Sequence, residues 1–125
     1  MILLDTSVLI DYYRKKDKTK SYLFKLLQNH QSFAVSAITH YEIYIGADSS
    51  QIGFWDDFFS SFTIFPFDIE ASKKAVSIYQ KLKIANKLIE IPDLFIASTA
   101  IVHNLPCATL NKKHFQRITE LELVS

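Results

Sequence analysis

The stretch that most constrains this chain is its first eleven residues, Met1-Ile2-Leu3-Leu4-Asp5-Thr6-Ser7-Val8-Leu9-Ile10-Asp11. Ile2, Leu3 and Leu4 are apolar without alternation, the pattern of a strand buried on both faces. Strands of that kind belong to parallel sheets covered by helices on either side. Asp5, the first polar residue after the run, then falls at the strand's carboxyl end, where open α/β sheets place their ligands. Asp is also a favoured helix cap. Position alone therefore leaves Asp5 open between a cap and the centre of a site.

The rest of the chain repeats the same rhythm. Thr6 or Ser7 can cap a short helix to about Tyr13, and a second helix is expected over Lys18 to Asn29 with Tyr22, Leu23, Leu26 and Leu27 on one stripe. Phe33-Ala34-Val35 reads as a second buried strand ending at Ser36. Ala37 to Ala47 reads as a helix with Ile38, Tyr41 and Ile45 on its inward face. Phe54 to Phe62 reads as a short helix carrying five large aromatics, either core or in part a protein contact. Thr63 to Phe67 is a third strand, which Pro66 assigns to a sheet edge. Asp68 can cap the longest helix, Ile69 to about Lys87. Pro92 opens another that continues through Asp93 to His103. Leu105 to Leu110 and Leu121 to Val124 complete four to five strands. Strands alternating with helices need crossovers, so the expected fold is one α/β domain over residues 1–125, with a central, mostly parallel four- to five-stranded sheet flanked by helices.

The single cysteine, Cys107, rules out an internal disulfide. Asp5 interrupts the apolar start, so no signal peptide is expected. The longest apolar run, Leu94 to Val102, is too short to span a bilayer, which makes a cytoplasmic protein without membrane contact the expectation. The net charge of +1 hides a segregation: all 14 basic residues fall in three windows, with none between Gln28 and Ser72. Arg14 to Lys25 holds one window, Lys73 to Lys87 the second, and Lys112, Lys113 and Arg117 the third. These are either solvated helix faces or surfaces that converge on a polyanion.

Two further acids occupy places where apolar residues would pack. Ser36, directly after its strand, is a more natural cap than the Thr39 of a Thr39-x-x-Glu42 capping box, and so Glu42 lies inside the helix at the edge of its apolar stripe. Asp93 shares a face with Ile96, Ala97 and Ala100. A first-turn acid gains from the helix dipole, but that does not explain its inward position. Three carboxylates at the rim of one apolar core repel each other unless a cation meets them. An all-oxygen donor set suits Mg²⁺ or Mn²⁺ rather than zinc, for which no Cys/His set exists. There is no phosphate-binding glycine loop and no nucleophile elbow. Basic windows beside a carboxylate–metal centre point to phosphodiester hydrolysis. An aspartyl phosphatase would want a second Asp where Ser7 stands.

Leu3 to Asp11, Val35-Ser36-Ala37-Ile38-Thr39-His40-Tyr41-Glu42, and Ile91-Pro92-Asp93-Leu94-Phe95-Ile96-Ala97-Ser98-Thr99-Ala100 together resemble the PIN-domain family, and within it the VapC-type toxins of toxin–antitoxin pairs. The resemblance covers the whole chain. It implies a metal-dependent endoribonuclease in which Asp5, Glu42 and Asp93 are the catalytic, metal-binding acids, with Mg²⁺ (or Mn²⁺) as cofactor. Thr6 or Ser7 matches the hydroxyl that supports the site, and Asp11 a frequent family acid. It implies RNA as substrate, transfer RNA by analogy with the family, a cognate antitoxin as inhibitor, and a homodimer. The Tyr12-Tyr13 pair and the Phe54–Phe62 stripe are where those protein contacts are expected. Arg14, Lys15, Lys112, Lys113 and His114 are the candidate RNA contacts. The family often carries a fourth acid near the end, where this chain has Asn111 and His114. Asn111 is accordingly read as a supporting residue, and a PIN-like module that binds RNA or protein without cutting is the alternative.

Overall fold

A computed structural model describes all residues, Met1 to Ser125. Strand β1 (Ile2–Leu4) leads into α1 (Thr6–Arg14), a 3₁₀ turn (Lys18–Lys20) and α2 (Tyr22–Asn29). Strand β2 (Phe33–Ser36) is followed by α3 (Ala37–Gly46) and α4 (Ile52–Phe59), and β3 (Thr63–Phe65) by α5 (Ile69–Ile84) and α6 (Ile91–Val102). A two-residue β4 (Cys107–Ala108) and α7 (Lys112–Phe115) close the chain.

The sheet has four strands in the order β3-β2-β1-β4, every pair parallel. β1 is buried on both faces, as its unalternating run requires. Ile2 and Leu4 join an apolar cluster with Val8, Leu9, Leu23, Leu26 and Trp55, while Leu3 points the other way into a cluster with Ile78, Leu82, Leu94, Ile96 and Phe115. Helices α1, α2 and α4 therefore cover one face, and α5, α6 and α7 the other. The chain runs outward from β1 to β2 and β3, then returns to place β4 on β1's free side. The order thus reverses between β1 and β4, and that crevice at the strands' carboxyl ends is the binding position of open α/β sheets.

Several local expectations hold for their stated reasons. Ser36 caps α3, its side chain accepting from the backbone N–H of Ile38, and Asp68 caps α5 by accepting from Ala71. β3 is an edge strand with Pro66 just beyond it. The two asparagines with positive φ, Asn86 and Asn104, each terminate a helix. Backbone bonds from Lys87 to Leu82 O (2.8 Å) and from Leu105 to Ala100 O (2.9 Å) close the last turns of α5 and α6 around them.

Others are corrected. Leu121–Val124 is not a fifth strand: only an isolated bridge from Leu123 to Cys107 forms, while Leu121 is buried against the helical cluster. The second helix begins at Tyr22, capped by Ser21, because the preceding turn is 3₁₀. In α3 the inward face is Thr39 and Ile43, whereas Tyr41 and Ile45 are 63% and 71% exposed. That helix is apolar nearly all round, so periodicity does not single out the face its own core takes. The aromatic stripe is largely internal. Trp55 and Phe59 are buried, and Phe54 and Phe58 pack against Tyr12 and Tyr13 with ring centroids 5.1–6.4 Å apart. No helix is long and apolar enough to cross a membrane.

Candidate active site

Asp5 occupies the cap position of α1, yet its side chain makes no capping bond, and neither Thr6 nor Ser7 takes that role. The carboxylate is 3% exposed and turned to other partners. Ser7 Oγ donates to Asp5 Oδ2 at 2.7 Å, and Thr109 Oγ1 donates to the same oxygen at 2.8 Å. The Asp5 side chain is therefore not a helix cap: its carboxylate is buried and served by neutral donors on one oxygen.

Glu42 reaches the same place from α3. Thr6 Oγ1 donates to Glu42 Oε1 at 2.7 Å and lies 2.9 Å from Thr39 Oγ1. A hydroxyl has one proton, so Thr6 gives its own to Glu42 and accepts that of the fully buried Thr39. Asp93, in the first turn of α6, receives a 3.4 Å contact from Asn111 Nδ2 on its Oδ2. Burial pushes the Asp93 carboxyl up to about 6, with the negative charges of Asp5, Glu42 and Glu90 adding to the rise and the Asn111 amide opposing it. The acids are thus near enough to repel one another. Asp11 stands apart: its Oδ2 accepts from the backbone N–H of Tyr22 at 3.0 Å, starting α2, and Lys15 pairs with its Oδ1 at 3.5 Å.

The ion pairs of the molecule involve Asp11, Glu70 and Glu120, and none reaches Asp5, Glu42 or Asp93. No three acids, histidines or cysteines lie close enough together to chelate one ion between them. The donor set nevertheless fits a hard divalent cation. It is all oxygen, and each acid has only one oxygen engaged by a neutral donor. Mg²⁺ commonly binds through one or two carboxylates and retains several waters.

Of the other anticipated residues, Arg14 and Lys15 line a polar groove with Ser7, Ile10, Asp11 and Leu110, of which Ser7 also bonds Asp5. Arg14 also borders a second groove of about 430 Å³, between α1, α3 and α4, which runs from Glu42 to Trp55. Lys112, Lys113 and His114 follow Asn111 on α7. In the second window three of the five lysines are engaged in ion pairs. Lys74 and Lys81 hold Glu120 at 2.9 and 3.2 Å, and Lys73 pairs with Glu70. Sequence reasoning overlooked Thr39 and Thr109. The fourth strand was expected over Leu105 to Leu110, which places Thr109 inside it; β4 is only Cys107–Ala108, so Thr109 falls at the strand end as Asp5 does at β1.

A model of the PIN domain matches residues 2–121. The chain is 39% identical to Ribonuclease VapC1 of Methanocaldococcus jannaschii across 98% of its own length and 84% of that protein's. It is 33% identical to Ribonuclease VapC of Rickettsia bellii across 99% and 95%. Among solved structures, VapBC2 from Rickettsia felis bound to a DNA fragment from its promoter superposes with a TM-score of 0.86, at 27% identity over 99% of this chain and 98% of the other.

Proposed function

The chain belongs to the PIN-domain family, and on that premise we propose that it is the toxin of a toxin–antitoxin pair, a metal-dependent endoribonuclease silenced by a cognate antitoxin. The observation that carries the reading is that Asp5, Glu42 and Asp93 lie near enough at the crevice where the strand order reverses for the charges of the first two to raise the third, and that no cationic side chain pairs with any of them. Bound by those acids, Mg²⁺ or Mn²⁺ would supply Lewis acidity, lowering the pKa of water and offsetting charge that develops on phosphate.

The chain's own groups hold the acids for that task. Ser7 and Thr109 fix one oxygen of Asp5, Thr6 fixes one of Glu42, and Asn111 holds Asp93. Arg14, which has no carboxylate partner, is placed to bind an RNA phosphate along the polar groove, with Lys15, Lys112, Lys113 and His114 as further contacts. Phosphate contacts position the strand, so they support RNA generally; transfer RNA is the proposed class.

The groove from Glu42 to Trp55 suits the antitoxin. A segment with apolar side chains against Ile10 and Tyr13 and a basic side chain facing Glu42 would close the site. Homodimer contact is proposed on the other side of Glu42, where Tyr41 and Ile45 of α3 lie beside Ile91 and Phe95 of α6. The protein is expected to work in the cytoplasm.

The test is RNA cleavage by purified protein in Mg²⁺, with an EDTA control and an Asp5→Asn variant. Cleavage that EDTA stops and that the folded variant lacks supports the reading. Wild-type cleavage by Asp5→Asn would overturn the site, and absence of any EDTA-sensitive cleavage would favour the non-cutting RNA- or protein-binding module.

A further inference from the structure

Thr109 is the residue immediately after β4, and Asp5 the residue immediately after β1. Their side chains meet across the crevice between these two strands. Thr109 is fully buried, and its bond to Asp5 Oδ2 is 2.8 Å long. An ionised carboxylate only accepts, and at 2.8 Å it is a far nearer acceptor for the single Thr109 hydroxyl proton than the Ser7 hydroxyl 3.5 Å away. The backbone N–H of Asn111 donates to Thr109 Oγ1 at 2.9 Å, and the hydroxyl proton points at Asp5. Ser7 is arranged the same way, with the N–H of Leu110 donating to its Oγ at 3.0 Å while it donates to Asp5 Oδ2. Two successive backbone N–H groups thus aim two hydroxyl protons at one carboxylate oxygen. Asp5 Oδ2 is held, and Oδ1 takes neither bond.

We propose that Thr109 is a positioning residue for Asp5: its backbone-directed hydroxyl fixes the carboxylate so that Oδ1 is presented to the cation. The proposal rests on the metal-site reading above. Asn111 extends the arrangement, since its backbone orients Thr109 while its side chain holds Asp93. The segment after β4 therefore ties the acid of β1 to the acid of α6, although it contributes no carboxylate of its own. Groups that orient metal ligands in this manner typically change metal affinity by about 10- to 100-fold when removed.

The experiment is calorimetric titration of Mn²⁺ into full-length wild type, Thr109→Ser, Thr109→Val, Thr109→Ala and Asp5→Asn, with a metal-free melting curve for each. Wild type and Thr109→Ser are expected to bind within about threefold of each other, because serine keeps the hydroxyl. Thr109→Val is expected to bind about tenfold or more weakly, with a cooperative melt. If valine prevents folding, Thr109→Ala gives the same reading and is expected to show the same loss. If Asp5→Asn loses binding while the folded hydroxyl-free variants bind as wild type does, the role of Thr109 is overturned and the metal site stands. If Asp5→Asn binds like wild type, the metal-site reading falls and the proposal with it.

Discussion

At the scale of single residues, the site is a set of carboxylates whose charges are stabilised only by neutral hydrogen-bond donors, and Asp93 records the cost. Its carboxyl is raised to about 6 by burial and then by its acidic neighbours. An acid raised in the folded state contributes stability below its unfolded value, near 4, and loses it as pH rises through 6. Metal-free wild type should therefore lose about 1 kcal/mol across that window from this group, allowing for solvent screening at a half-buried position. Asp93→Asn lacks the loss, so in EDTA its melting temperature relative to wild type should climb between pH 4 and pH 7. A relative melting temperature that stays flat or falls between pH 4 and pH 7 would contradict the assignment. Thr6 offers a second check. Thr6→Val removes the donor to Glu42 and leaves the Thr39 hydroxyl without its acceptor, so RNA cleavage should fall by about tenfold or more while Thr6→Ser retains most of it. The acids could be singled out in the sequence for different reasons: Asp5 because it ends an unalternating apolar run, Asp93 because it shares a face with Ile96, Ala97 and Ala100, and Glu42 because it lies inside a helix capped by Ser36, although the stripe through Ile45 beside which it was read faces solvent. The hydroxyls that orient them were only partly legible, since a buried threonine after a strand looks like any other β-branched residue.

At the scale of elements, legibility followed burial. β1 was readable because an unalternating apolar run that stops at a carboxylate suits a strand covered on both faces and little else. α5 was readable because Asp68 caps an apolar stripe of Ala71, Ala75, Ile78 and Leu82. The fifth strand was misread because apolarity reports burial and not hydrogen bonding: Ile118 and Leu121 are buried without pairing in a ladder. The face of α3 was misread because that helix offers two apolar faces, of which the core takes one. Two element-level outcomes follow. Asn104 sits at φ 55 where α6 ends, so Asn104→Ala should cost about 1 kcal/mol in denaturant melts, and Asn104→Gly should cost nothing or stabilise. Trp55, 3% exposed against Tyr13, Phe54, Phe58 and Phe59, should cost about 3–5 kcal/mol on change to Ala. That loss would mark the stripe as core rather than as a free docking surface.

At the scale of the whole molecule, the parallel order β3-β2-β1-β4 brings the ends of β1 and β4 to the start of α6 and the middle of α3, and so assembles residues that lie far apart along the chain. The same assembly leaves the outer face of α3 apolar. If that face joins two copies, wild type should run at twice the chain mass in light scattering and Ile45→Asp at the chain mass, with an unchanged melt. The central claim is that Asp5, Glu42 and Asp93 form one cation-holding centre. Its most direct test is ¹³C NMR of the side-chain carboxyls during a Mg²⁺ titration at pH 7. These three resonances should move together with one midpoint, and Asp93 in saturating Mg²⁺ should titrate well below 6. Independent midpoints, shifts confined to other acids, or an Asp93 that still titrates near 6 would contradict it.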